Sequence, residues 1–312
     1  MNIQNKFKII VPSYNNEEWS EANLASILNQ TYTNYEVLYI DDSSTDNTYE
    51  IATSITKDLS NWKVIRNESN KGAAFNYVEF VDSFTEDNDI IIHLDGDDWF
   101  YDDTVLEQLN NFYNEKDCWM TYGGFVVWDG EGDPTLPYPQ STLHSEFVHD
   151  HKLYRKDDWR ASHLRTYRAF LFKALPKEAS KSLLTGEYYW HAIDLAWQFA
   201  LMEMCTKDKI QLVDFYTIVY NHTPSNKVRT HEREHIDNSK YEVEIRNRKR
   251  YKEGLSGETL PQVNVYNRDY YLEFSNIPTK FTYCYQQPEG EFDMTLLCDP
   301  AIIQYLAGEF QV

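Results

Sequence analysis

Three carboxylates, Asp95, Asp97 and Asp98, stand together at the end of an apolar run in the stretch Ile90–Phe100, IIIHLDGDDWF. Ile90 to Leu94, with His93 inside it, has the character of a strand. The acids therefore fall at its carboxyl end, where open α/β sheets place their ligands. Carboxylates this close repel one another, and their pKa values rise unless a cation lies between them. Mg²⁺ and Mn²⁺ take oxygen ligands and reach a protein through one or two carboxylates plus substrate phosphates. One reading is thus a metal site that handles a nucleotide diphosphate. The other is a solvated turn in which Asp97 or Asp98 caps the next helix, since Asp is a good N-cap. The stretch alone leaves both open.

A second candidate for chemistry is Asp194, set among apolar residues in TGEYYWHAIDLAWQFALMEM, Thr185–Met204. Leu195, Phe199 and Met202 make a helical stripe beside it. Burial raises a carboxylate's pKa, which suits a general base; capping or pairing on the helix is the plainer role, and Glu187 is the reserve acid. His231-Glu232-Arg233-Glu234-His235 matches the His-Glu-x-x-His zinc motif literally. That motif needs a largely buried helix, and the residues after it are charged on most faces, with only Ile236, Val243 and Ile245 apolar. They predict a solvated helix. His144, His149 and His151 fall in an aperiodic polar stretch and read as solvated loop histidines.

The elements that must position these residues alternate regularly. Lys8–Val11 reads as a strand broken by Pro12, and Glu17–Asn29 as a helix with Leu24, Ile27 and Leu28 inward. Tyr35–Ile40 is a second strand, followed by a Ser/Thr/Asp cluster and a helix. Trp62–Arg66 is a third, and Asn70-Lys71-Gly72 opens a helix over Ala73–Phe84. With Ile90–Leu94, this is the pattern of a parallel sheet with crossover helices, its polar strand ends forming one crevice. Thr121–Trp128 and Ile210–Tyr220 read as further single strands. Neither a Gly-x-Gly-x-x-Gly nor a P-loop is present; phosphates would have to be held by a metal and side chains.

With 29 basic against 50 acidic side chains, the net charge is −21, which argues against nucleic acid as a partner. The chain has no run of 18 apolar residues, so no transmembrane segment is expected, and MNIQNKFKIIVPSYN lacks the features of a secretory signal. Four widely spaced cysteines, Cys118, Cys205, Cys284 and Cys298, read as reduced thiols of a cytoplasmic protein.

Val11-Pro12-Ser13-Tyr14-Asn15, Ile40-Asp41-Asp42-Ser43-Ser44-Thr45-Asp46, Asn70-Lys71-Gly72 and Leu94-Asp95-Gly96-Asp97-Asp98-Trp99 follow one another in register. Together they resemble the nucleotide-binding half of family 2 glycosyltransferases with the GT-A fold. Trp159–Lys173, Asp194-Leu195-Ala196, Glu203-Met204 and Tyr220 to Lys227 are similar to a bacterial and viral subgroup of that family. The resemblance implies an α/β, GT-A-like fold, a mostly parallel central sheet flanked by helices. Residues 1–230 would be the catalytic domain, and 231–312 a C-terminal charged helix and aromatic-rich extension. The tyrosines of that extension offer contacts to an acceptor glycan or to a second subunit in a homo-oligomer, with core packing the default.

The implied activity is a metal-dependent, inverting hexosyl transfer from a nucleotide-sugar donor, UDP-linked by expectation, to a glycan or other hydroxyl acceptor. Pro12, Tyr14 and Glu17 would line the nucleoside pocket, with Tyr14 against the base. Asp42 would accept the uracil N–H, a fit for a group that only accepts. Lys71 would lie near the diphosphate. Asp95 would reach the ribose or the metal, Asp97 would be the main ligand of Mn²⁺ or Mg²⁺, and His222 is a candidate further ligand as a neutral imidazole. His163 and Arg165 would face the cleft and touch acceptor or sugar; ordinary pairing in an acidic protein is the other reading of Arg165. Asp194 would be the base, although Ile193 stands where the family usually has Glu. Two other classes stay open: a non-catalytic sugar-nucleotide or glycan-binding module, and a zinc protease through His231 and His235.

Overall fold

The structure is a computed structural model that describes residues 3–135, 141–183, 185–223 and 238–255. Ten strands are present among the described residues: β1 (Phe7–Ser13), β2 (Tyr35–Asp41), β3 (Trp62–Arg66), β4 (Ile90–His93), β5 (Trp99–Phe100), β6 (Met120–Tyr122), β7 (Phe125–Trp128), β8 (Arg165–Arg168), β9 (Ile210–Leu212) and β10 (Ile218–Asn221). The α-helices are α1 (Glu17–Leu28), α2 (Thr48–Thr56), α3 (Ala73–Glu79), α4 (Val81–Phe84), α5 (Val105–Lys116), α6 (Glu146–Asp150), α7 (Ala169–Lys173), α8 (Ile193–Met204) and α9 (Asn238–Arg246).

The main sheet has seven strands in the order β3-β2-β1-β4-β8-β6-β9, and a small sheet has the order β5-β10-β7. β1 runs parallel to β2 and β4, and β2 parallel to β3. β8 runs antiparallel to both of its neighbours, β4 and β6. Every residue of β1 is buried, as expected where helices cover both faces of a sheet. Side chains alternate across a strand, so Phe7, Ile9 and Val11 join Leu24 and Ile27 of α1 on one face. Ile10 joins Tyr77 of α3 and Trp197 and Phe199 of α8 on the other.

Both long strands predicted beyond residue 120 are in fact pairs. Thr121–Trp128 divides at Gly123 and Gly124, whose φ values of +94° and +80° swing the chain out of the main sheet. Ile210–Tyr220 divides likewise, so that β6 pairs with β9 in one sheet and β7 with β10 in the other. A mostly apolar stretch does not report such a swing, because each half keeps residues buried against its own sheet. At Gly124 an added Cβ would lie 2.2 Å from the Phe215 carbonyl oxygen. Gly124→Ala is therefore expected to destabilise by roughly 1–3 kcal/mol, or more if Phe215 does not yield; a urea titration measures it.

Two expectations of solvation are corrected. His144 is 5% exposed and pairs through Nδ1 with Asp157 at 2.7 Å, and His149 Nδ1 meets the Tyr154 hydroxyl at 2.8 Å. In α9, Ile245 is fully buried and Tyr241 nearly so. Its charges are absorbed by partners: Arg246 donates to the carbonyls of Arg155 and Asp157, and Arg155 donates to the Ile245 carbonyl and to Glu203 at 2.7 and 3.1 Å. A charged face buries when its ions are paired and hydrogen-bonded. The start of the supposed extension thus packs into the same core as α8. His231, His235 and residues 256–312 lie outside the described residues. Cys118 and Cys205 are free and buried. Among the described residues no helix is long and apolar enough to cross a membrane.

Candidate active site

The site forms where β1, β2 and β4 end together. The Asp42 N–H donates to the Ser13 carbonyl at 2.8 Å, and the Gly96 N–H to the Pro12 carbonyl at 3.1 Å. A Cβ at Gly96 would lie 2.5 Å from Ser13 Oγ and 2.9 Å from the Pro12 oxygen, so glycine lets the acidic loop lie against β1. Asn23 of α1, fully buried, donates to the carbonyls of Asp95 (3.1 Å) and Asp98 (2.7 Å) and pins the loop from the other side. The sequence reading missed Asn23; its signal was an amide on the inward stripe beside Leu24 and Ile27. Gly96→Ala is expected to lift the loop and to cost about 1–3 kcal/mol of stability, with weakened metal binding, both read from thermal melts with and without Mn²⁺.

Within the loop, Asp95 Oδ1 accepts a hydrogen bond from the Tyr77 hydroxyl at 2.7 Å. Asp98 is 1% exposed; its Oδ1 accepts from the Asn221 N–H at 2.9 Å, and its buried Oδ2 has no partner among the described residues. Asp97 is half-buried beside them. The register of β4 and β8 sets His93 opposite Arg165. Two residues further on in each direction lie Asp95 and His163. Ligand atoms of Asp95, Asp98 and His163 all fall within 4.8 Å of one another. Asp97 and His222, expected as ligands, are not in this set; His222 is exposed, its N–H on the Trp128 carbonyl.

The electrostatics match a cation site. Burial, then the charge of Asp97, raises the pKa of Asp95. Burial and the charges of Asp97 and Asp95 push Asp98 well above the usual carboxylate range. Burial, then Arg165, holds the His163 imidazole well below its ordinary pKa, hence neutral. An unpartnered buried carboxylate oxygen, crowded acids and a neutral imidazole are a donor set that suits Mn²⁺ or Mg²⁺.

Asp194 lies in the first turn of α8. Its Oδ1 accepts from the Leu195 N–H at 3.0 Å, and its Oδ2 meets Arg165 Nη1 at 3.0 Å. Arg165 is 6% exposed, and of the two roles expected for it the structure shows the ion pair. Burial raises the Asp194 pKa, and Arg165 opposes the rise.

The residues expected around the nucleoside line the adjoining strand ends. Pro12 is buried and Tyr14 half-buried as β1 finishes. Glu17 opens α1, its carboxylate accepting from the Asn47 N–H (3.1 Å) and Nδ2 (2.7 Å). Asp42, 3% exposed, accepts from Asn67 Nδ2 (2.8 Å), the Lys71 N–H (2.9 Å) and the Gly72 N–H (2.8 Å). The side chain of Lys71 is exposed.

Residues 8–176, more than half of the chain, match the family described as Glycosyl transferase family 2. The chain belongs to this family. It is 34% identical over 125 residues to an uncharacterized glycosyltransferase of Haemophilus influenzae, covering 40% of this chain and 49% of that one. It is 46% identical over 66 residues to the Escherichia coli UDP-Glc:alpha-D-GlcNAc-diphosphoundecaprenol beta-1,3-glucosyltransferase WfgD, covering 21% of this chain and 25% of the relative. The first curated relatives are matched over about half of their own length. Among solved structures, S. aureus TarS 1–349 in complex with UDP superposes with a TM-score of 0.51 at 18% identity, covering 78% of this chain and 70% of TarS. The glycosyltransferase fold is therefore GT-A-like, as the strand-end motifs imply.

Proposed function

We propose that this family 2 enzyme moves a sugar from a UDP-linked donor to a hydroxyl of a glycan or similar acceptor, with inversion, using Mn²⁺ or Mg²⁺ at the acidic loop. The observation that carries the reading is the meeting of Asp95, Asp98 and His163 with the Asp194–Arg165 pair at one edge of the sheet. A UDP donor is favoured by TarS, solved with UDP, and by WfgD, whose name gives UDP-Glc.

Asp95, Asp98 and His163, with Asp97 beside them, are the groups that would hold the cation, which when bound supplies positive charge against the leaving diphosphate. Tyr14 and Pro12 wall the base, and Glu17 props the loop after β2. A carboxylate offers about four lone-pair positions; three of those on Asp42 are used, leaving one for the uracil N–H. Lys71 places an ammonium at the rim near the phosphates. Asp194 takes the proton of the acceptor hydroxyl as its oxygen bonds to the anomeric carbon. The bond from that carbon to the phosphate oxygen breaks, and the nucleotide leaves with its electron pair. One displacement inverts the centre. Arg165 holds Asp194 by Oδ2 and keeps it charged until the proton arrives.

The test is a calorimetric screen of UDP-, GDP- and dTDP-sugars with Mn²⁺, followed by a UDP-release assay with glycan acceptors. UDP-sugars bind and are consumed if the reading holds. If none binds, the donor assignment fails. If one binds and no acceptor or water ever releases UDP, the chain is a binding module.

A further inference from the structure

Trp190 carries an aromatic face that neither the core nor the chemistry above uses. It is 42% exposed, yet it is seated, because a Cβ on Gly72 would lie 3.2 Å from its Cε3 and Cζ3. Gly72 belongs to the loop that holds Asp42 and carries Lys71. The indole therefore lies on the loop assigned above to the uracil and the diphosphate. Four residues later comes Asp194.

Its neighbours in the chain are anchored elsewhere. The Tyr188 hydroxyl donates to Glu79 of α3. Tyr189 is 1% exposed, donates to Glu244 Oε1 at 2.6 Å and packs on Tyr241 of α9 at 5.3 Å. The Tyr189 N–H closes on the Ser180 carbonyl at 3.0 Å, and the Ser182 N–H on that of Glu187 at 2.8 Å. With both preceding residues tied down, the exposure of Trp190 is imposed by the fold and not by a slack loop. An indole held half in water is apolar area waiting to be covered, and its rigid ring loses little entropy when it is.

We propose that Trp190 is the stacking platform for the sugar ring of the donor, which lays the apolar C–H face of its pyranose on the indole. This rests on the donor reading above. The base is already walled by Tyr14 and bonded at Asp42. The part of the donor that must lie toward Asp194 is the sugar, since its anomeric carbon receives the acceptor oxygen. A platform at this point would favour hexoses with an uninterrupted C–H face, making Trp190 a specificity residue.

The experiment measures calorimetric dissociation constants of UDP, UDP-glucose and UDP-GlcNAc with Mn²⁺ for the wild type, Trp190→Ala and Trp190→Phe. Trp190→Ala is expected to leave UDP affinity within about twofold and to weaken at least one UDP-sugar about tenfold, with Trp190→Phe recovering part of the loss. Equal weakening of UDP and UDP-sugars overturns the proposal, because the indole then serves the base or merely holds Gly72. Unchanged affinities for all three overturn it as well. A wild type that binds neither UDP nor any UDP-sugar overturns the donor reading itself, and the platform with it.

Discussion

Asp194→Asn is expected to bind the nucleotide sugar as the wild type does and to lose transfer by roughly 10²- to 10⁴-fold, the usual contribution of a positioned acid or base. Asparagine is nearly isosteric and its Oδ1 still accepts from the Leu195 N–H. It cannot take a proton from a hydroxyl at neutral pH. The substitution also leaves the nearly buried Arg165 beside a neutral partner. Removing one ion of a buried pair costs about 3–5 kcal/mol, less here because the Asp194 side chain is 22% exposed. Binding and kcat are therefore compared well below the melting temperature of the variant. Retained transfer would remove Asp194 from the mechanism. Glu187, the reserve acid, is exposed in the loop before α8.

The same group sets a pH dependence with a definite sign. The folded-state pKa of Asp194 is raised, by burial first, with Arg165 opposing. The base acts deprotonated, so kcat rises with pH through that raised value, and its acid limb lies above that of an ordinary aspartate. A raised pKa means that the folded state binds this proton more tightly than the unfolded chain. Its contribution to stability is therefore fully present below the unfolded pKa and is lost as pH rises through the folded one. In Asp194→Asn the residual rate should lose this limb.

The second large effect is at Asp98. In the wild type, Mn²⁺ at a hundred times its dissociation constant should stabilise the fold by about 2.7 kcal/mol. Asp98→Asn is expected to abolish that shift while raising the melting temperature of the metal-free protein by a few degrees, equivalent to about 1 kcal/mol. Asparagine keeps an oxygen for the Asn221 N–H. In place of the unpartnered Oδ2, it offers an amide donor beside Asp95. Differential scanning fluorimetry with and without Mn²⁺ measures both. Asp97→Ala run in parallel separates the two possible ligand sets. A full Mn²⁺ shift in Asp98→Asn, with none in Asp97→Ala, would return the ion to the set expected from the sequence motif.

The strand ends were legible in the sequence because they are local. An apolar run of period-free residues ending in Pro12, Asp41 or Asp95 needs only the burial of β1, β2 and β4 to put all three ends at one edge. Trp62–Arg66 was bounded correctly by its alternation, with Trp62, Val64 and Ile65 half-buried and Lys63 and Arg66 exposed. Asp194 was legible as one of two acids, with Glu203, on an otherwise mostly apolar helix. The pairing of residues far apart was not. That β8 inserts antiparallel beside β4 is decided by the sheet as a whole, and only that register carries His163 to Asp95 and Arg165 to Asp194. The burial of α9 was hidden as well, since its charges read as a solvated face until the carbonyls of Arg155 and Asp157 take up Arg246. For the acidic loop, the sequence alone determined that carboxylates would crowd at a strand end. Which of them meet a histidine, and which oxygen is left without a donor, was decided by tertiary structure, because a ligand set depends on side chains converging through space, here from the loop after β4 and the segment before β8.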